Sequence, residues 1–254
     1  TLTISAPVND GINAEATLSV RSGQLTIDAA DDAIHSDYTL NIGETGTTGP
    51  TIAINSCYEG LEAATLNVFS GDITIQATDD CLNAANSDLT DFEFTMNISG
   101  GSIHAYTTAG DGFDSNGDLT ISGGTVVVWS ANTADNQPLD ADGTITISGG
   151  TVLAAGGSGG MGMNLNATQP YVIIGNTGMG GQPGQPGQSG EQPTPPSGQQ
   201  PEQSGEQPTP PSGQQPSQSG EQPSQPGQGT QTNASVTAGS TIHIQDADGN
   251  TLYT

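Results

Sequence analysis

Basic residues are almost missing. The 254-residue chain has one Lys or Arg in total, Arg21, against 27 Asp and Glu, and carries a formal net charge of −26. Nucleic acid and anionic membrane surfaces are therefore disfavoured as partners, because both are held by Lys and Arg that displace counterions. Helical periodicity is also missing: no stretch of useful length spaces its apolar residues three and four apart. No apolar run is long enough to cross a bilayer, so membrane insertion is not expected. Aromatic residues make up 4% of the chain, so any core must be aliphatic. The histidines His35, His104 and His243 are scattered, which argues against a soft-metal centre.

What the chain does contain is a recurring phrase: an acidic residue, a small residue, a bulky apolar residue and a polar one. It reads Asp10-Gly11-Ile12-Asn13, Asp32-Ala33-Ile34-His35, Glu59-Gly60-Leu61-Glu62, Asp80-Cys81-Leu82-Asn83 and Asp111-Gly112-Phe113-Asp114, and ends degraded as Gln137-Pro138-Leu139-Asp140. Steps of 21 to 31 residues separate successive apolar members, a spacing that implies a solenoid. Behind each phrase come two alternating apolar pairs joined through a Ser-Gly or Gly-Gly link, such as Leu66/Val68 with Ile73/Ile75 and Leu119/Ile121 with Val126/Val128. Alternation of period two marks a strand with one buried face. With the apolar member of the phrase, the pattern predicts three short strands per turn and an all-β, parallel β-helix of about seven turns. An antiparallel sandwich also has many short strands, but it has no reason to repeat an acidic phrase in phase with them.

Composition divides the chain into three parts. Residues 1–179 hold the repeats. Residues 180–233 are Gln, Pro, Gly, Ser and Glu with no bulky apolar residue, and Ser189-Gly190-Glu191-Gln192-Pro193 recurs from Ser204. Such a segment cannot bury apolar area to offset its ordering entropy, and a disordered excursion is expected. Residues 234–254 resume alternation around Asp248-Gly249, predicting a strand pair or last partial turn. Asp246-Ala247-Asp248-Gly249-Asn250 lacks the later Gly and Glu of an EF-hand and reads as a plain turn. The chain opens and closes in strand-like runs, as expected for a piece of a longer exported protein.

The acidic phrases, the Ile-Ser-Gly-Gly-Thr-Val elements at 121–126 and 147–152 and the stretch Gly110-Asp111-Gly112-Phe113-Asp114-Ser115-Asn116-Gly117 together resemble a known family. It is the bacterial carbohydrate-binding family with a polysaccharide-lyase-like, right-handed parallel β-helix. Tyr58-Glu59-Gly60-Leu61-Glu62 and Asp79-Asp80-Cys81-Leu82-Asn83 fit its central turns. The resemblance implies an extracellular, calcium-bearing module that binds plant cell-wall polysaccharide, with cellulose and pectin as candidates. The family's usual opening turns are absent, the Gln/Pro excursion is unusual, and cysteines stand at 57 and 81 where small residues are expected.

Stacked repeats turn one acidic residue per turn into a column of carboxylates about 4.8 Å apart. Asp10, Asp32, Glu59, Asp80 and Asp111 form one column, and Asn13, His35, Glu62, Asn83, Asp114 and Asp140 a second, with Glu15, Asp37, Asn116 and Asp142 beyond. Carboxylates at that separation repel by roughly 3 kcal/mol at an effective dielectric near 20. Calcium suits the donor set, since it accepts many oxygens in loose geometry. Its candidate ligands are Asp10, Asp31, Asp32, Asp37, Glu59, Glu62, Asp79, Asp80, Asp111, Asp114 and Asp140. The plainer alternative is a solvated acidic edge whose Asp and Asn serve turns.

Cys57 and Cys81 lie one repeat apart, so a small shift in the intervening turn would stack them for a disulfide, consistent with export; otherwise they are small buried apolar residues. If Val126 and Val128 point inward, Trp129 points outward, with Tyr106 and His104 one turn earlier, forming a candidate sugar platform. Alternatively Trp129 packs under the loop 131–136. A uronate lyase would need a Lys or Arg base, and Arg21 sits in a tight link. A hydrolase could draw on Asp31-Asp32 or Asp79-Asp80, although acidic pairs in phase with a repeat usually belong to it. A non-catalytic binding module is the reading these features favour. End-to-end self-association into a fibre through open strand edges is the structural alternative.

Overall fold

The computed structural model describes residues 1–133, 135–157, 164–174, 230–232, 244–245 and 251–253. Those residues form strands and connecting turns, with no helix among them. The repeats wind into a parallel β-solenoid of about six turns rather than the expected seven. The first face is a sheet of seven strands: Leu2–Ala6, Gln24–Ala29, Thr51–Cys57, Asp72–Ala77, Ser102–Thr107, Thr125–Trp129 and Thr151–Ala155. The second face stacks the acidic phrases, Ile12–Ala14 on 34–36, 61–63, Leu82–Ala84 and Phe113–Ser115, with Leu139 bridging to Phe113. The third runs from Thr17–Val20 through 39–42 and 65–68 to Thr95–Ile98, Asp118–Ile121, Ile145–Ile147 and Leu165–Ala167.

Alternation dictates the interior. Leu40, Ile42, Ile52, Ile54, Leu61, Leu66, Ile73, Ile75 and Leu82 are essentially inaccessible, and Phe113 is the bulkiest fully buried side chain among the described residues. Each such aliphatic contributes about 1.5–3 kcal/mol on burial, so the core rather than the acidic surface holds the coil together. On the third face the outward residues Asn41, Asn67 and Asn97 form a ladder, Asn67 Nδ2 donating to Asn41 at 3.0 Å and Asn97 Nδ2 to Asn67 at 3.1 Å.

The Gly-Gly links fix the corner between the third and first faces. Gly124 adopts φ +86°, and a Cβ there would stand 2.7 Å from the carbonyl oxygen of Gly101 on the rung below, so both backbone geometry and crowding demand glycine. The small residue of the acidic phrase has a similar cause: a Cβ on Gly60 would meet Ile75 Cγ2 at 2.8 Å.

The disulfide expectation is overturned. Cys57 and Cys81 are buried free thiols. An irregularity between Ile54 and Cys57 places Cys57 opposite Ala77 at the end of a first-face strand. Cys81 opens the second face, where its backbone is laddered to Leu61 and Asp111. The two therefore belong to different columns. Burial pushes the Cys57 thiol up to about 12 and Cys81 higher still, so both behave as small apolar groups.

The excursion expected at 180–233 lies outside the described residues, apart from Thr230–Thr232, which pairs in parallel with Val172–Ile174. Ile244–Gln245 and Thr251–Tyr253 pair antiparallel; the Asp248-Gly249 turn between them lies outside the described residues.

Candidate functional site

The second face carries the acidic corner. Its register stacks Asn13 on His35, His35 on Glu62, Glu62 on Asn83 and Asn83 on Asp114. The first acidic column has a structural task as well. Asp10 Oδ1 accepts the backbone N–H of Asp32 at 3.3 Å, Asp80 Oδ1 that of Asp111 at 2.6 Å, and Asp111 Oδ1 that of Gln137. Each carboxylate thus ties its own turn to the next, which is one reason the phrase begins with an acid.

His35 sits inside this corner, bracketed by three carboxylates. Its Nδ1 lies 2.6 Å from Glu62 Oε2 and 3.1 Å from Asp32 Oδ2, and its Nε2 lies 3.1 Å from Asp37 Oδ1. Hydrogen bonds to Asp32 and then Glu62 raise the imidazole to about 11 against the desolvation that opposes its charge. It is an imidazolium at neutral pH, an internal cation for the early turns. Burial pushes Glu62 up, but the hydrogen bonds from His35 and Asp32 outweigh it and hold the group below the usual range.

The later turns have no such cation among the described residues. Glu59 is raised to about 8 by burial, Asp80 to about 7, and Asp111 and Asp114 to about 6, in each case chiefly by desolvation and then by neighbouring carboxylates. Two all-oxygen groups bring their donor atoms within 4.8 Å of one another: Asp32 with Glu59 and Glu62, and Asp111 with Asp114 and Asp140. A third, Asp10 with Asp32 and His35, contains the imidazolium. Between the first two stands Asn83, 8% exposed, whose Nδ2 donates to Glu59 Oε2 at 2.8 Å while its Oδ1 has no partner. A buried amide oxygen without a donor, flanked by carboxylates, fits a hard cation such as calcium. Asp31, Asp37, Asp79 and Asp80 stand outside these groups. Asp79 lies beside Tyr58, whose phenol it pushes up to about 12.

The outer side of the first face differs. Tyr106 is paired in register with Trp129, and His104 with Val127. Tyr106 is 51% and Trp129 39% exposed, so no loop seals the indole. Val127, also outward, is 4% exposed, a burial that alternation did not foresee. Among the described residues the aromatic ring contacts are Tyr38 with Phe92 and Phe92 with Phe94, leaving Tyr106 and Trp129 free of each other. They border a shallow groove of about 420 Å³ lined also by Thr74, Gln76, His104 and Val127.

Residues 1–160 match the family described as carbohydrate-binding domain-containing protein. The chain belongs to that family. No curated protein and no solved structure matches it. The matched residues of this carbohydrate-binding chain include both the acidic corner and the aromatic face. Sequence reasoning brought the acidic columns and the Tyr106–Trp129 pair together in the arrangement the register shows. It missed His35 as a charge partner, although its place in the second column was the available signal. It also missed the orphaned oxygen of Asn83, for which the sequence holds no signal at all.

Proposed function

We propose that this chain is an extracellular, non-catalytic carbohydrate-binding module, stabilised by calcium, that recognises plant cell-wall-type polysaccharide, with cellulose and pectin as the candidate ligands. The observation that carries the reading is the pair of exposed, unstacked rings of Tyr106 and Trp129 on one flat face. Flat rings offer an apolar surface to the C–H side of a sugar and leave its hydroxyls hydrated. Family membership supports the same ligand class. An extracellular location follows from the ligand, since cell-wall polymers are met outside the cell.

Calcium would be held by Asp32, Glu59 and Glu62 near Asn83 Oδ1, and by Asp111, Asp114 and Asp140. When bound it supplies the positive charge that the later turns lack. The chain's own carboxylates meanwhile accept the backbone N–H groups that tie one turn to the next. The non-catalytic assignment rests on the structural employment of the carboxylates, which accept rung-to-rung N–H groups, and on the scarcity of Lys and Arg for uronate lyase chemistry.

A pull-down on insoluble cellulose and on pectin gel, with and without calcium, tests the proposal. Native protein should be retained, Trp129→Ala and Tyr106→Ala should wash through, and no sugar should be released. Release of reducing or unsaturated ends, abolished by one Asp substitution that leaves the melting curve intact, would make the protein an enzyme instead.

A further inference from the structure

We propose that the ligand is a single neutral, linear glucan chain that lies along the solenoid axis, crossing the strands at one sugar unit per rung, from Trp129 to Asp28. The proposal rests on the reading that Tyr106 and Trp129 bind sugar, and adds the direction, the length and the charge of the ligand.

The direction comes from the groove. Its lining is drawn from three successive first-face strands, with Thr74 and Gln76 on one, His104 and Tyr106 on the next, and Val127 and Trp129 on the third. A groove built in this way runs across the rungs. The outward column through it continues beyond the rings. Gln76 is the register partner of Tyr106, the Asn55-Ser56 irregularity follows on the next strand, and Ser56 is the partner of Asp28. Every member of this track is able to stack on a sugar or hydrogen-bond to it, and Asn55, Ser56 and Gln76 are exposed.

The polar end of the track is already ordered. Asn55 Nδ2 donates to Asp28 Oδ2 at 3.3 Å and Ser56 Oγ to Asp28 Oδ1 at 3.3 Å, which leaves the Asn55 carbonyl and the Gln76 amide to face solvent. The neighbouring outward column begins with the short side chains Thr26, Ala53 and Thr74, a low margin, and continues into His104 and Val127 beside the rings. Rungs repeat at about 4.8 Å, close to the advance of one pyranose unit, so the four steps from Asp28 to Trp129 span about 19 Å and take about five sugars. The charged residues on this face are acidic, Asp28 and Asp72, and Arg21 lies outside the groove's lining. A uronate polymer would be repelled here, whereas a neutral glucan meets rings at one end and amides and hydroxyls at the other.

Isothermal titration with cello-oligosaccharides of increasing length tests this, on calcium-loaded full-length protein. Affinity should rise with length up to about five units and then level off. Each side chain recruited adds about fivefold, the worth of one net hydrogen bond. Gln76→Ala and Asn55→Ala, both at exposed positions, should each lose about fivefold on the pentasaccharide. Trp129→Ala should weaken every length. Affinity that stops rising at the disaccharide, or a pentasaccharide indifferent to Gln76→Ala, overturns the axial track while leaving sugar binding at the rings in place. Tighter binding of oligogalacturonate than of the cello-oligosaccharide of equal length, in calcium-free buffer, overturns the neutral ligand. Failure of all oligosaccharides to bind overturns both the track and the platform.

Discussion

The acidic corner and the aromatic face are built from the same repeat, a few residues apart in each turn, yet they solve opposite problems. At the corner, phrase residues such as Asp32 and Asn83 are drawn inward by the tight turn between faces, and their charge has to be met within the protein. On the first face, strand residues such as Tyr106 and Gln76 stand clear of the sheet, and water meets their needs until a ligand replaces it. The contrast shows how a solenoid separates stability from recognition. A side chain at the corner is answerable to the rungs above and below it, whereas one on the face is answerable to solvent. Substitutions at the corner should therefore register in the melting curve, and substitutions on the face in the binding isotherm.

The sharpest way to break this contrast is to remove the internal cation. His35→Ala leaves Asp32, Glu62 and Asp37 facing one another, and loss of one partner of a buried charge cluster costs about 3–5 kcal/mol. The melting temperature should fall by roughly 6–20 °C, at the scale of about 2–4 °C per kcal/mol for a folded unit of this size. An unchanged melting temperature would mean that the corner is a solvated edge after all.

Calcium should act next most strongly, and on the later turns. Binding only to the folded state at a concentration a hundredfold above Kd adds about 2.7 kcal/mol, so chelation should lower the melting temperature by several degrees. Asp111→Asn should cut that increment while leaving the rung-to-rung acceptor in place. Equal calcium responses in the native protein and Asp111→Asn would remove Asp111, Asp114 and Asp140 from the binding set.

pH gives a smaller effect whose sign is fixed. Glu59 at about 8, Asp80 at about 7, and Asp111 and Asp114 at about 6 are raised above the ordinary 4.5 and 3.8, so their folded forms hold protons more tightly. Their contribution is complete below the ordinary values and is lost as pH rises through the folded ones. His35, raised from 6.5 to about 11, contributes with the same sign, fully below 6.5 and decreasingly above it. In chelator, stability should decline steadily between about pH 4 and pH 8; calcium should flatten that decline. Stability that rises over the same range without metal would refute the placement of these groups.

The smallest effect on stability belongs to the aromatic face. Trp129→Ala should change unfolding free energy by less than about 1 kcal/mol, since the ring is substantially exposed, and yet abolish retention on polysaccharide. A large loss of stability would identify the indole as part of the fold rather than of the site.

Much of this was legible in the chain. The spacing of Ile12, Ile34, Leu61, Leu82, Phe113 and Leu139 specified a coil and its register, because in a solenoid equivalent residues stack and a column in the alignment becomes a column in space. The outward pairing of Tyr106 and Trp129 followed from period two alone. The cysteines were misjudged because one irregularity between Ile54 and Cys57 moves a whole strand end by a residue or more, a shift that spacing cannot reveal. His35 was placed in the second column but given no charge, since its partners Asp32, Asp37 and Glu62 meet it only through where their side-chain atoms come to rest.

The sequence by itself determined the period, the inward aliphatic columns, the acidic columns and the two rings on one face. Those depend on local alternation and on translation from one rung to the next, both of which are written in residue order. Only the tertiary structure decided which carboxylates are shielded from water, which of them His35 neutralises, that Asn83 keeps a buried oxygen without a donor, and that the two thiols remain unbonded. Each of these depends on how far a side chain is withdrawn from solvent and on where its atoms, rather than its backbone, come to rest.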